Sequence, residues 1–175
     1  MLLPIKFLGL QVGCMGILSD QDILDRLKRH RLSIEPFNEN QLTPNGYDLS
    51  IAEIYLEEGE TKIREGVAEI PPQTWFAVST REYVTLSGEV TAQLWLRTSH
   101  ARKGIQSTFG KIDAGFEGTL TFSAFNASKK PVTLSIGDTF AQLVLEEMLS
   151  IPRKLYAERS GKYQGQRGVT LDKYE

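Results

Sequence analysis

The chain has 175 residues, 41% hydrophobic and 24% charged, which suits one globular domain able to bury its own core. Its formal net charge of −2 argues against wrapping long nucleic acid, which requires a basic face. One cysteine, Cys14, and two separated histidines, His30 and His100, argue against an intramolecular disulfide or a zinc site, and point to a cytoplasmic protein.

Residues 1–16 are largely apolar but too short to span a membrane. Lys6 is their only charge, and no small-residue cleavage site follows, so they match a signal peptide poorly. They read as an N-terminal extension (1–16) ahead of a domain over 17–152, with a polar tail over 153–175. Next, Ile23, Leu24 and Leu27 share one face, with charged residues between them. That spacing predicts an amphipathic helix of about three turns. Ser19 is its expected N-cap, Asp22 adds an acid in the first turn, and basic residues gather at 28–31.

Beyond the helix the apolar period changes to two. Strands are expected near 47–54, 75–80, 83–86, 90–96, 104–107, 118–126, 132–135 and 139–146. Turn signals separate them, among them Asn45-Gly46, Ser87-Gly88, Asp113-Ala114-Gly115 and Gly137-Asp138. Many short strands spaced in this way predict an all-β sandwich, jelly roll or barrel with one N-terminal helix.

Four segments carry groups suited to chemistry. Arg97-Thr98-Ser99-His100-Ala101-Arg102-Lys103 packs cations and hydroxyls into a turn after an apolar strand, a set that phosphate groups need. A solvated basic turn has the same composition. Asp113 sits at a glycine-bounded turn, where an acid can orient a sugar hydroxyl, hold a metal-bound water or act as a general base. Ordinary turn aspartates are common as well. Gln142 lies on a strand face of opposite parity to Leu143 and can bond a phosphate or an interface partner. The tail segment Ser160 to Gly168 has the Lys, Arg, Gln, Tyr and Gly content of a flap that closes on a polyphosphate, or of a disordered terminus.

Taken singly these signals are weak; their order is specific. The set Leu18-Ser19-Asp20, Asn45-Gly46-Tyr47-Asp48-Leu49, Arg97 to Gly104, Ile112 to Gly118, Gly137-Asp138-x-x-Ala141-Gln142-Leu143 and Lys162-Tyr163-Gln164-Gly165-Gln166 resembles the dCTP deaminase branch of the dUTPase superfamily, over about residues 17–170. The resemblance implies a distorted jelly-roll β-barrel and a homotrimer with inter-subunit active sites acting on a deoxypyrimidine triphosphate. It implies Mg2+ carried by the substrate phosphates, with no metal held directly by the protein; the charge and the short apolar stretch point to no nucleic-acid and no membrane partner. By the family pattern, Arg97, Thr98, Ser99 and Arg102 bind phosphates, and Gln142 joins the binding set. Phe116 packs on the deoxyribose, and Thr121, Phe122 and Ser123 line the substrate. Tyr156, Lys162 and Gln166 close over the nucleotide.

One position divides the branch. Deaminases of the family carry a glutamate five residues after the glycine that matches Gly118, and it shuttles protons as water attacks C4 of cytosine. Here that position is Ser123. A serine hydroxyl does not titrate near neutrality and cannot take over a carboxylate's proton transfer. The dUTPases also lack that glutamate and use the acid of the preceding turn, here Asp113, to activate water. The expected activity is therefore hydrolysis of dUTP to dUMP and pyrophosphate, with Asp113 catalytic. The alternative is dCTP deamination, possibly bifunctional, as the deaminase-type tail suggests. A non-catalytic nucleotide-binding trimer is the third reading.

Overall fold

Helix α1 (Asp20–Lys28) begins where Ser19 caps it. The Asp22 amide donates to Ser19 Oγ at 3.2 Å, while the Ser19 amide and hydroxyl donate to the Asp22 carboxylate at 3.0 and 2.7 Å. This reciprocal box satisfies donors that a bare helix start would leave open. Ile23 is the fully buried residue of its apolar face. The structure is a computed structural model that describes residues 16–172, so the extension expected over 1–16 lies outside the described residues except for Gly16.

The strands follow as β1 (Leu32–Glu35), β2 (Leu42–Thr43), β3 (Gly46–Leu56), β4 (Thr61–Ile63), β5 (Val67–Ile70), β6 (Trp75–Leu86) and β7 (Val90–Leu96). A one-turn helix α2 (Thr98–Ala101) precedes β8 (Ile105–Thr108), β9 (Lys111–Ile112), β10 (Glu117–Asn126), β11 (Val132–Ser135) and β12 (Thr139–Glu147). A second one-turn helix, α3 (Tyr156–Arg159), lies in the tail. The strand order β8-β10-β6-β3-β12-β7-β9 forms one curled sheet, and β11 pairs with β5 in a second. Together they make the distorted jelly-roll half-barrel.

β3 links the two halves of that sheet. Its first part pairs with β12 (Asp48 opposite Gln142) and its second with β6 (Ile54 opposite Val78). The register shift between Ile51 and Glu53 is a bulge, the device by which a strand turns a barrel corner. β6 is a single strand where the sequence predicts two. Arg81-Glu82 reads as a polar break, but Glu82 is buried. Its carboxylate accepts from the Ser50 amide at 2.9 Å and from Gln41 Nε2 at 3.0 Å, so the strand continues through it.

The core centres on Phe140, fully buried. Phe122 stacks on it at 5.9 Å, Phe76 meets it edge-on at 6.4 Å, and the His100 ring lies 4.9 Å away. β10 alternates: Phe122, Ala124 and Asn126 point inward, whereas Thr121, Ser123 and Phe125 remain half-buried on the outer face. The tail runs back along that outer face. The Gln166 carbonyl accepts from the Thr119 amide at 3.0 Å, and the Gly165 amide donates to the Glu117 carbonyl at 2.9 Å. No helix among the described residues is long and apolar enough to cross a membrane.

Candidate active site

The outer face of β10 meets β6 in register, placing Ser123 opposite Ala77 and Thr121 opposite Ser79. Trp75, Ala77, Thr121 and Ser123 form the floor of a cavity of about 290 Å³, whose roof is Tyr163, Gln166 and residues 170–172 of the tail. A second cavity, of about 470 Å³, lies on the β8 side and shares Trp75 and Ser123. Gln166 is fixed here: its Nε2 donates to the Thr119 carbonyl at 2.7 Å. Phe122, expected among the substrate-lining residues, has its ring in the core against Phe140 and Phe109 and offers this cavity no side-chain contact.

The structure also brings a carboxylate to Ser123 that sequence reasoning missed. Asp172 lines the same cavity. It accepts from Lys162 Nζ at 2.6 Å and from the Tyr163 hydroxyl at 3.2 Å, an ion pair at the exposed edge of the cavity. The Asp172 hydrogen bond is the main cause that holds the Lys162 ammonium above its usual range. Forty-nine positions separate residue 123 from residue 172 in the sequence, and no spacing rule connects them.

Asp113 lies elsewhere. It is exposed at the turn between β9 and β10, where its carbonyl accepts from the Phe116 amide at 3.1 Å. Gly115 follows with φ +83, a left-handed conformation that glycine adopts freely. Asp113 lines a cavity of about 680 Å³ together with Thr91, Lys154, Tyr156, Arg159 and Ser160. Tyr156 is anchored on both sides: its amide donates to the Ala114 carbonyl at 3.0 Å, and its hydroxyl accepts from the Tyr163 amide at 3.0 Å. The Phe116 ring is buried and meets Tyr156 edge-on at 5.6 Å.

The basic segment forms the third region. Arg97 follows β7 and faces Asp48, with Nη1 3.0 Å from the carboxylate, and it also donates to the Thr139 hydroxyl. Burial pushes the Asp48 carboxyl up, and the charge of Arg97 offsets this only in part. Arg97, Thr98, Ser99 and Gln142 line one cavity of about 290 Å³ with Thr43 and Asp48. Gln142 donates to the Thr43 hydroxyl at 2.5 Å. Arg102, at the end of α2, is exposed and outside that cavity. Between these residues His100 is buried, its Nε2 2.9 Å from the Thr139 carbonyl. Its Nδ1 is the buried side-chain atom without a partner among the described residues. Burial is the main cause that holds this imidazole below its usual pKa, and the nearby charges of Lys103 and Arg97 add to it.

Within one chain these regions do not converge. The Asp113, Ser123 and Arg97 cavities have no lining residue in common. Ile112 pairs with Ala92 on β7, and the Thr91 hydroxyl donates to the Ile112 carbonyl at 2.8 Å, so Asp113 lies level with Thr91. Arg97 is six residues further along the chain. At strand rise that is about 20 Å, too far for the two side chains to act on one atom. Among the described residues no group of His, Cys, Asp and Glu side chains is arranged to hold a metal ion.

The dCTP deaminase-like family profile matches residues 17–148. A dCTP deaminase of Pyrococcus horikoshii is 37% identical over 147 residues, covering 83% of this chain and 92% of its own. A probable deoxyuridine 5'-triphosphate nucleotidohydrolase of Sulfolobus islandicus rod-shaped virus 1 is 38% identical over 159 residues, covering 90% of this chain and 98% of its own. Among solved structures, the 2'-deoxycytidine 5'-triphosphate deaminase of Agrobacterium tumefaciens matches with a TM-score of 0.67 at 19% identity. That match covers 77% of this chain and 48% of the Agrobacterium chain. The dUTPase of Staphylococcus aureus phage phi11 matches with a TM-score of 0.50 at 21% identity, over 74% of this chain and 97% of its own. At these identities the two structures bear on the fold alone.

Proposed function

The chain belongs to the dCTP deaminase-like family, and from that premise we propose that it hydrolyses dUTP to dUMP and pyrophosphate. The observation that carries this reading is Ser123. On the outer face of β10, where the family's deaminases have their proton-shuttling glutamate, this chain presents a hydroxyl opposite Ala77. Attack on cytosine C4 and release of ammonia need a group that titrates near neutrality, and a hydroxyl does not. Hydrolysis needs its base at the phosphate end instead, and Asp113 is exposed, at a fixed turn, in the largest of these cavities. The viral relative named as a nucleotidohydrolase aligns over 90% of the chain and supports the same choice.

In this mechanism Asp113 orients and deprotonates the water that attacks the α-phosphate. Phe116 and Tyr156 border the sugar, while Thr121, Ser123 and Gln166 surround the base. Arg97, Thr98, Ser99 and Arg102 hold the phosphates, with Gln142 beside Arg97 and Lys162 closing from the tail. Magnesium held by the substrate phosphates would supply further charge neutralisation. The separation of about 20 Å between Asp113 and Arg97 within one protomer supports a homotrimer in which one subunit supplies Asp113 and the next supplies Arg97. The single cysteine fits a cytoplasmic enzyme.

One observation favours a second reading, dCTP deamination. Asp172 brings a carboxylate into the Ser123 cavity, and several relatives are named dCTP deaminase, including a dUMP-forming one of Aquifex aeolicus at 32% identity. The deciding experiment incubates the protein with dUTP and, separately, with dCTP, each with magnesium. dUMP from dUTP with dCTP untouched is the expected result. Uracil nucleotides formed from dCTP would establish deamination, and saturable binding without turnover would leave a nucleotide-binding protein. Asp113→Asn should abolish hydrolysis and leave nucleotide binding; retained turnover would mean that another group is the base.

A further inference from the structure

Glu53 is a carboxylate that nothing in this mechanism uses. It lies just beyond the β3 bulge and is buried, with 6% of its side chain exposed. Burying a carboxylate is costly unless charge partners and hydrogen bonds satisfy it. Here Arg64 Nε donates to one oxygen at 2.6 Å, and Lys62 Nζ lies 3.5 Å from the other. Burial alone would push the Glu53 carboxyl up; the Arg64 and Val169 hydrogen bonds and the charges of Lys62 and Arg64 outweigh it and hold it below the usual range.

The remaining ligand of this carboxylate comes from the tail. The Val169 amide donates to Glu53 Oε1 at 3.0 Å, across 116 positions of sequence. Gly168, with φ +65, makes the bend that aims this amide, and a Cβ there would meet the Glu53 carboxylate at 3.5 Å. On either side of Glu53's contact the tail is tied to β10: the Thr121 hydroxyl donates to the Gly168 carbonyl at 3.1 Å and accepts from the Thr170 amide at 3.1 Å. Two residues upstream of Gly168, Gln166 holds Thr119 through both its carbonyl and its side chain. Lys62 Nζ, at 3.4 Å from the Val169 carbonyl, joins the same residue from the other edge.

We propose that Glu53 is the positioning residue of the base cavity: with Arg64 and Lys62 it clamps the backbone at Val169 and so fixes Gln166 over Thr119 and Thr121. The proposal deepens the nucleotide reading of the Ser123 cavity and rests on it, since Gln166 and residues 170–172 are that cavity's roof. The clamp acts through the tail and not on the substrate.

The test uses the full chain as wild type, Glu53→Gln and Glu53→Asp. Backbone amide exchange is followed across the protein, and KM and kcat are measured for dUTP. A hydrogen bond to a charged group implies that Glu53→Gln speeds exchange at 166–170 by about tenfold or more. Strands β6 and β12 keep wild-type protection, KM rises more than kcat falls, and Glu53→Asp restores part of both. Unchanged exchange at 166–170, or acceleration spread equally over β6 and β12, overturns the clamp. A fall in kcat at constant KM overturns it as well. Because exchange needs no substrate, localised acceleration in a protein that does not turn over dUTP would uphold the clamp and remove the dUTP-hydrolysis reading alone.

Discussion

Asp113→Asn and Arg97→Ala, each inactive as a pure protein, should regain activity when they are assembled together. Asp113 lies level with Thr91 and Arg97 follows the far end of the same strand, about 20 Å away at strand rise. A site that needs both residues must therefore draw them from two subunits. Suppose the two variants are co-expressed in equal amounts and assemble at random. A given site then has an intact Asp113 with probability of about one half and an intact Arg97 from its neighbour with the same probability, so about one quarter of sites are whole in a cyclic assembly. Loss of a general base typically costs about a hundred- to ten-thousand-fold and loss of a charge-stabilising donor about a hundred- to a thousand-fold, so the background from each pure variant is about 1% or less, well below that quarter. The assay is dUMP release at saturating dUTP, with the two pure variants and the wild type in parallel. The recovered sites are wild type in every contact and should show the wild-type KM. A co-assembled mixture no more active than its components would refute the shared site and require both residues to act within one chain.

Three further outcomes follow from single contacts. Asn126 is fully buried, its Nδ2 within 3.0 Å of the carbonyls of Ile70, Pro71 and Lys130, while its Oδ1 accepts from the Ser128 amide and hydroxyl. Asn126→Ala strands several of these groups and should cost about 3 kcal/mol, or about 6–12 °C in Tm by calorimetry; a loss under about 2 °C would remove the structural role assigned to this amide. Ser123→Glu restores a carboxylate on the outer face of β10 and should add measurable conversion of dCTP to uracil nucleotides, scored by chromatography, while its absence would mean that the scaffold lacks more than the shuttle. His100 is held neutral by burial, so the unfolded chain takes up its proton first as pH falls below the ordinary histidine value of about 6.5. Stability should therefore drop between neutrality and the depressed folded pKa, and His100→Leu should flatten that part of the Tm–pH curve; an unaltered slope would place the dependence on other groups.

Features set by neighbours in sequence were legible beforehand. The Ser19–Asp22 box, the turn at Gly137-Asp138 and the alternation along β10 each depend on residues a few positions apart. Two strands read from a broken pattern proved to be one, because the Glu82 carboxylate is satisfied by Ser50 and Gln41, more than thirty positions away. The family pattern has Phe122 lining the substrate, although its parity on β10 assigns it to the same inward face as Ala124 and Asn126. The Glu53–Val169 contact and the approach of Asp172 to Ser123 are tertiary events, and residue spacing carries no signal for either.

The alternation along β10 also bears on how one fold can serve two reactions. Phe122, Ala124 and Asn126 face inward and hold the strand through the Phe140 stack and the Asn126 hydrogen bonds. Thr121 and Ser123 face outward, where the side chain meets a cavity and no core residue depends on it. On the proposed reading, a change at position 123 alters which proton transfers the site can perform while leaving the packing of β10 in place. The choice of reaction then rests with the outward residue at 123, beside the base, and with the turn acid Asp113, beside the phosphate.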